Sequence, residues 1–249
     1  MRLLFQRLHE AGLTVNLAKS DFGHGRLSYL GHDVGGGSIA PVSAKIDAIL
    51  SLTTPQSPKS LQRFLGMIGY YRRFCRNFSS IVSPLTDLTS NKVPFLWKPI
   101  HQQAFEAAKR LLISVPVLKA PDFGKPFVIQ VDASDRGVGG ILMQEHESLL
   151  HPVAFMSHKL KKHQVNYSTI EKECFAIIMA LEKFHVYIIP NGNVTTIFSD
   201  HNPLSFLKTM YGKNSRLTRW ALAIQPYNFV VKHISGKENL IADCLSRDL

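Results

Sequence analysis

Two short apolar runs, 127–131 and 194–198, end on aspartates, Asp132 and Asp200, and a long amphipathic helix pattern lies between them. That arrangement restricts the possible folds more than any other feature. A carboxylate at the end of a buried strand is costly unless something pairs it. Strands separated by crossover helices favour an α/β sheet, in which ligands gather beyond the carboxyl ends of the strands. If these two strands are parallel neighbours, the two aspartates sit side by side. Like charges that close demand a cation.

The rest of the pattern fills in the sheet. Further strands are expected at 137–143 and 153–156, and the long helix at 168–184 with Ile170, Cys174, Ile177, Ile178 and Leu181 on its apolar face. A helical stretch carries Leu217, Trp220, Ala221 and Ile224; a fifth strand is expected at 229–233 and a short helix at 239–245. The expected fold class is α/β, a five-stranded mixed sheet with flanking helices.

Upstream, the texture differs. Leu3, Leu4, Leu8 and Leu13 suit a short amphipathic helix stopped at Gly12, followed by strands near 27–30 and 38–41 split by Gly35-Gly36-Gly37. So small a segment cannot bury a core alone. It must pack on the neighbouring helical segment or on a partner. From Ser43 the pattern is helical: Ser57-Pro58 is an N-cap and first helical position, and Leu61, Phe64, Leu65 and Ile68 form one stripe. A further helix over 101–112 carries Ala104, Phe105, Ala108, Leu111 and Leu112. The expected divisions are 1–42, 43–117 and 118–249.

Acidic residues are scarce, so their placement is informative. Glu173 precedes the buried position Cys174, whereas Glu171, two residues earlier, points elsewhere on the helix. Asp243 lies between Ile241, Ala242 and Leu245 and is expected to point inward. Taken singly, each has a bland reading, as a cap, a turn former or a solvated helix residue. Together, Asp132, Glu173, Asp200 and Asp243 make an all-oxygen set suited to magnesium or manganese. Two such ions about 4 Å apart would clamp the attacking water and the leaving oxygen of a phosphodiester displacement.

Charge points to the partner. Lys and Arg number 29 against 18 Asp and Glu, a net charge of +11, which favours a polyanion, with nucleic acid ahead of an anionic membrane surface. In Tyr70-Tyr71-Arg72-Arg73-Phe74 and Arg76, aromatics interleave with arginines. Tyr71, Arg72, Arg73 and Arg76 could stack on bases and grip phosphates, and the aromatics suit a core stripe with a solvated basic flank equally well. A composition 45% hydrophobic and 19% charged argues against disorder. Three scattered cysteines argue against a disulfide framework or a thiolate zinc site. No apolar run approaches the roughly 20 residues of a membrane span. The charged N-terminus does not read as a secretory signal, so the cytosol or nucleus is expected.

These motifs resemble those of one family. Val131-Asp132-Ala133-Ser134 with Gly137-Val138-Gly139-Gly140, Asn166-Tyr167-Ser168 with Glu171-Lys172-Glu173, and Ser199-Asp200-His201-Asn202-Pro203-Leu204 are similar to the ribonuclease H domains of gypsy-type LTR retrotransposon polyproteins. Ser199 stands where that family usually has threonine. Arg219-Trp220, and His233 with Gly236, Asn239, Ala242-Asp243 and Leu245-Ser246-Arg247, match its closing segment. Tyr29-Leu30-Gly31-His32, Phe64-Leu65-Gly66 and the Tyr70–Phe74 run resemble the palm end and thumb of the same reverse transcriptases.

The resemblance implies a ribonuclease H-like fold after a helical thumb and a palm remnant. It further implies two-metal cleavage of the RNA strand of an RNA–DNA hybrid, with Asp132, Glu173, Asp200 and Asp243 as ligands. Glu171 is the alternative to Glu173, and His233 takes a supporting part in water handling or product release. The Tyr-x-Asp-Asp hairpin of the palm does not occur, so polymerisation by this chain is not expected. The missing palm and fingers, or a larger polyprotein, are expected partners. The competing reading is a nucleic-acid-binding relic without turnover. A transposase or integrase is disfavoured, because its glutamate would come last in the set.

Overall fold

The computed structural model describes residues 1–90, 93–113, 118–200 and 215–234. Helix α1 (Arg2–Glu10) buries no residue. Three antiparallel strands come next, β1 (Arg26–Tyr29), β2 (His32–Gly35) and β3 (Ser38–Pro41). The sequence pattern predicts only two strands here. Strand β2 escapes it because His-Asp-Val-Gly has little apolar character, and its ladder partners on both sides hold it extended. Gly36 and Gly37, both at positive φ, make the two-residue turn between β2 and β3. The turn into β2 uses Leu30 and Gly31, with Leu30 forced to φ +47° and its carbonyl accepting from the Tyr70 hydroxyl.

Helices α2 (Ser43–Leu50), α3 (Pro58–Gly69), α4 (Phe78–Asp87) and α5 (Pro99–Ile113) build the middle of the chain. As expected, α3 starts at Ser57-Pro58, and the structure adds a capping box with Ser60. The Ser60 amide donates to Ser57 Oγ at 3.2 Å, and the Ser57 amide donates to Ser60 Oγ at 3.0 Å, with Pro58 at the first position. Leu61, Phe64 and Ile68 are buried, and Phe64 packs on Phe105 of α5 at 4.5 Å between ring centres. Strand β4 (Leu118–Lys119) then pairs with β3 and completes a four-stranded sheet.

The second sheet is the one anticipated. Strands β5 (Phe127–Ala133), β6 (Gly137–His146) and β7 (Leu149–Lys159) form an antiparallel meander. After a short α6 (Lys162–Val165) and the long α7 (Thr169–Asn191), β8 (Thr195–Ser199) lies parallel to β5 on its free side. Helix α8 (Ser215–Ile224) leads to β9 (Phe229–His233), which is parallel to β8. The order is β7-β6-β5-β8-β9. Strands β6 and β7 run well beyond the apolar stretches that mark them, since ladder pairing carries on to the Glu147-Ser148 turn. Helix α7 outruns its expected end at Phe184 because Ile188 is still buried against the sheet. It stops at Gly192, whose φ of +69° suits a left-handed cap.

The two faces of this sheet pack on different partners. Phe127, Ile129, Val131, Val138, Leu142 and Ile197 join Ala176, Ile177, Ala180, Leu181 and Phe184 of α7 in one core. Ile141, Met143 and Phe155 face the other way, into the core built by α2–α5. Polar contacts reinforce that second interface. Arg72 Nη2 donates to the Ser157 carbonyl at 3.2 Å, Ser79 Oγ donates to the same carbonyl at 2.8 Å, and Lys159 pairs with Asp87 at 2.9 Å. The helical segment therefore forms the floor of the sheet. Phe155→Ala should cost about 3–5 kcal/mol, as for other buried phenylalanines, read as a lower urea midpoint for the whole chain.

Candidate metal centre

The parallel ladder pairs Gln130 of β5 with Phe198 of β8. Two residues further along each strand, Asp132 and Asp200 come level at the carboxyl edge of the sheet, as the strand-end reading anticipated. Asp132 is buried within β5, while Asp200 directly follows β8 and is partly exposed. Glu173 reaches the same edge from the first turns of α7 and is only 2% exposed. One carboxylate oxygen from each of the three lies within 4.8 Å of the others.

Such crowding shows in the acid–base balance. Burial, then the charge of Asp200, then that of Asp132, push the Glu173 carboxyl up to about 8. The Ala133 amide and the Ser199 hydroxyl, 3.4 Å from Glu173 Oε2, oppose that rise without cancelling it. Three buried or half-buried carboxylates with no thiolate or imidazole among them form a hard-cation donor set.

Helix capping separates Glu171 from Glu173. Ser168 caps α7: the Glu171 amide donates to Ser168 Oγ at 3.3 Å, and the Glu171 carboxylate accepts the Ser168 amide at 2.9 Å. The same carboxylate is paired with Arg216 of α8. Burial alone would raise the Glu171 carboxyl, but the Ser168 amide and the Arg216 guanidinium outweigh it and hold the group below its ordinary value. Glu171 is thus spent on the helix end, and Glu173, two residues on, faces the aspartates.

The remaining expected site residues are dispersed. His233 closes β9, level with Ser199 in the parallel ladder, and is exposed at the rim of this edge. Asp243 and the Asp200 motif from His201 onward lie outside the described residues. Tyr71 is 4% exposed within the helical core, so its ring is not open to a base; here the core-stripe reading holds. Arg72 and Arg76 are exposed beside it, with Arg72 over the Phe78 ring and Arg76 over Phe155. Arg73 is half-buried and covers Phe74 at 4.8 Å. Two neighbours of the centre escape sequence reasoning, Ser199 and Lys172. Ser199 is fully buried beneath Glu173, and only its place beside Asp200 hints at it. Lys172, 8% exposed, donates to Asp135 in the β5–β6 turn at 2.6 Å; its one signal is its place between two glutamates.

Residues 122–227 match the family described as the RNase H-like domain found in reverse transcriptase. Along 99% of its length the chain is 38% identical to the Retrovirus-related Pol polyprotein from transposon 297 of Drosophila melanogaster, and 37% identical to that from transposon opus. It is 35% identical over 98% of its length to the Transposon Tf2-3 polyprotein of Schizosaccharomyces pombe. The chain spans 23%, 26% and 18% of those relatives. Among solved structures, a foamy viral protease-reverse transcriptase in complex with an RNA/DNA hybrid superposes with a TM-score of 0.77 at 24% identity, covering 94% of this chain and 32% of that one. The same enzyme with double-stranded DNA gives a TM-score of 0.75 over 94% of this chain and 50% of that one. With its mixed sheet, its carboxylate edge and its helical floor, the chain is similar along its length to a segment of transposon Pol polyproteins, and residues 122–227 are an RNase H-like domain of the kind found in reverse transcriptase.

Proposed function

We propose that this chain is the ribonuclease H part of a retroelement polyprotein and hydrolyses the RNA strand of RNA–DNA hybrids. The observation that carries this reading is the meeting of Asp132, Glu173 and Asp200 within 4.8 Å at the carboxyl edge of the sheet. The family match and the hybrid bound by the foamy viral relative support the substrate class.

Asp132, Glu173 and Asp200 would hold divalent magnesium or manganese, with Asp243 as the fourth ligand by motif. When bound, a pair of such ions supplies charge neutralisation at the scissile phosphate and an activated water. The chain's own residues do the rest. Ser199 and the Ala133 amide orient the Glu173 carboxylate. The surplus of Lys and Arg holds the nucleic-acid backbone. His233, at the exposed rim, takes a supporting part in water handling or product release.

With a labelled hybrid and magnesium, the native chain should cut the RNA strand. Asp132→Asn and Asp200→Asn should each lose more than the roughly 10–100-fold expected for a supporting partner. Hybrid binding without cutting by all three proteins would instead identify a binding module and sink the nuclease reading.

Glu173 gives a second prediction. Its folded value, about 8, lies above the ordinary 4.5, so ionisation opposes folding. The penalty is absent below pH 4.5, grows between the two values and is complete above about 8. Without divalent metal, thermal stability should therefore fall across that window, and magnesium should restore it. Glu173→Gln should flatten the dependence and remove the response to magnesium. Melting curves from about pH 4 to about 9, taken with and without the ion, test the sign.

A further inference from the structure

Glu171, Lys172 and Glu173 put three charges in succession at the start of α7, and of these Glu173 joins the carboxylate cluster. The other two are engaged on either side. Lys172 ties the helix to Asp135 in the β5–β6 turn, and Glu171 closes the cap at Ser168 while pairing with Arg216. Arg216 is itself held in a fixed pose, its guanidinium 4.2 Å from the centre of the Tyr167 ring and 5.5 Å from that of Trp220.

We propose that Arg216 is a positioning residue for the carboxylate centre: by gripping Glu171 from α8 it anchors the first turn of α7 and so keeps Glu173 beside Asp132 and Asp200. The inference deepens the nuclease reading and rests on it for its catalytic consequence. Its physical basis is mechanical. The first amides of a helix have no partner within it, and helix ends are where fraying starts. Here that end also carries the Glu173 carboxyl, packed within 4.8 Å of two others. Something must hold the turn from behind.

An exposed ion pair would be too weak for this, contributing about 0–1 kcal/mol. The Arg216–Glu171 pair is better protected, with side chains 33% and 15% exposed. Stacking over Tyr167 and Trp220 adds a cation–π component and fixes the guanidinium plane. The Glu171 carboxylate joins both devices, since it accepts the cap amide and the guanidinium together. Loss of Arg216 would leave Glu171 with the cap alone. Because Glu173 lies within the same turn, displacement of Glu171 moves it directly.

The test uses the full chain and the variants Arg216→Met, Glu171→Gln, their combination, and Arg216→Lys. Ile49→Val, in the helical core far from the centre, supplies a matched loss of stability. In Arg216→Met, kcat should fall roughly 10–100-fold, as for a misplaced catalytic group, while KM for the hybrid stays within about twofold of native. Manganese binding, read by calorimetry, should weaken in step. A crystal structure should show the three carboxylates spread beyond their native 4.8 Å. The combined variant should be no worse than the poorer single one, because both act on one contact. Arg216→Lys should recover part of the loss by restoring charge without the planar stack.

The proposal is overturned if Arg216→Met and Glu171→Gln lose no more kcat than Ile49→Val at equal loss of Tm. Native carboxylate spacing in the Arg216→Met crystal overturns it as well. If the native chain cuts no hybrid at all, the nuclease reading fails by itself, and carboxylate spacing in the variant still decides whether Arg216 is the anchor.

Discussion

Mutual repulsion among Asp132, Glu173 and Asp200 is the constraint around which this end of the molecule is organised. Left to themselves, three carboxylates within 4.8 Å would separate or take up protons, and burial together with the two aspartate charges raises the Glu173 carboxyl. Rigid elements resist it. The parallel β5–β8 ladder fixes the two aspartates side by side, and the capped start of α7 brings the glutamate down onto them. The strain has a use. On the proposed reading, a site that is costly when empty would bind a divalent cation with part of the folding energy already committed, which would link metal affinity to stability.

The opposite face of the same sheet explains why the helical segment is more than an appendage. Ile141, Met143 and Phe155 look away from α7, and the helices of 43–113 close over them. At the junction the Ser157 carbonyl accepts from both Arg72 and Ser79, while Lys159 reaches Asp87. Arg72 therefore has a structural duty at the sheet although it is exposed. An aromatic and basic run that reads along the sequence as one binding patch is divided by the fold. Tyr71 and Phe74 go to the core, and the arginines remain near the surface.

Much of this is legible in the sequence because periodicity survives translation into structure. The Ser57-Pro58 start, the Leu61–Phe64–Ile68 stripe and the order of strands and helices over the described residues from 127 to 233 all reflect local chemistry, while the helix expected at 239–245 lies outside the described residues. The features that escape such reading depend on partners remote in sequence. Strand β2 is extended because β1 and β3 flank it, and β4 because β3 recruits it. The last turns of α7 form because Ile188 still finds apolar contacts, which no count of residues around Phe184 could foretell.

The sequence by itself determined the inventory: which side chains are acidic, and that Asp132 and Asp200 lie at the carboxyl ends of two strands. It also carried the kinship, since the motifs are strings of neighbouring residues. Only the tertiary structure decided that Glu173 and not Glu171 completes the cluster. Helix phase favours Glu173 without excluding its neighbour, and the outcome turned on Ser168 and Arg216 claiming the earlier glutamate. Local chemistry acts over a few residues of chain, whereas competition for a charged partner is settled between side chains 45 residues apart that meet only once the core has formed.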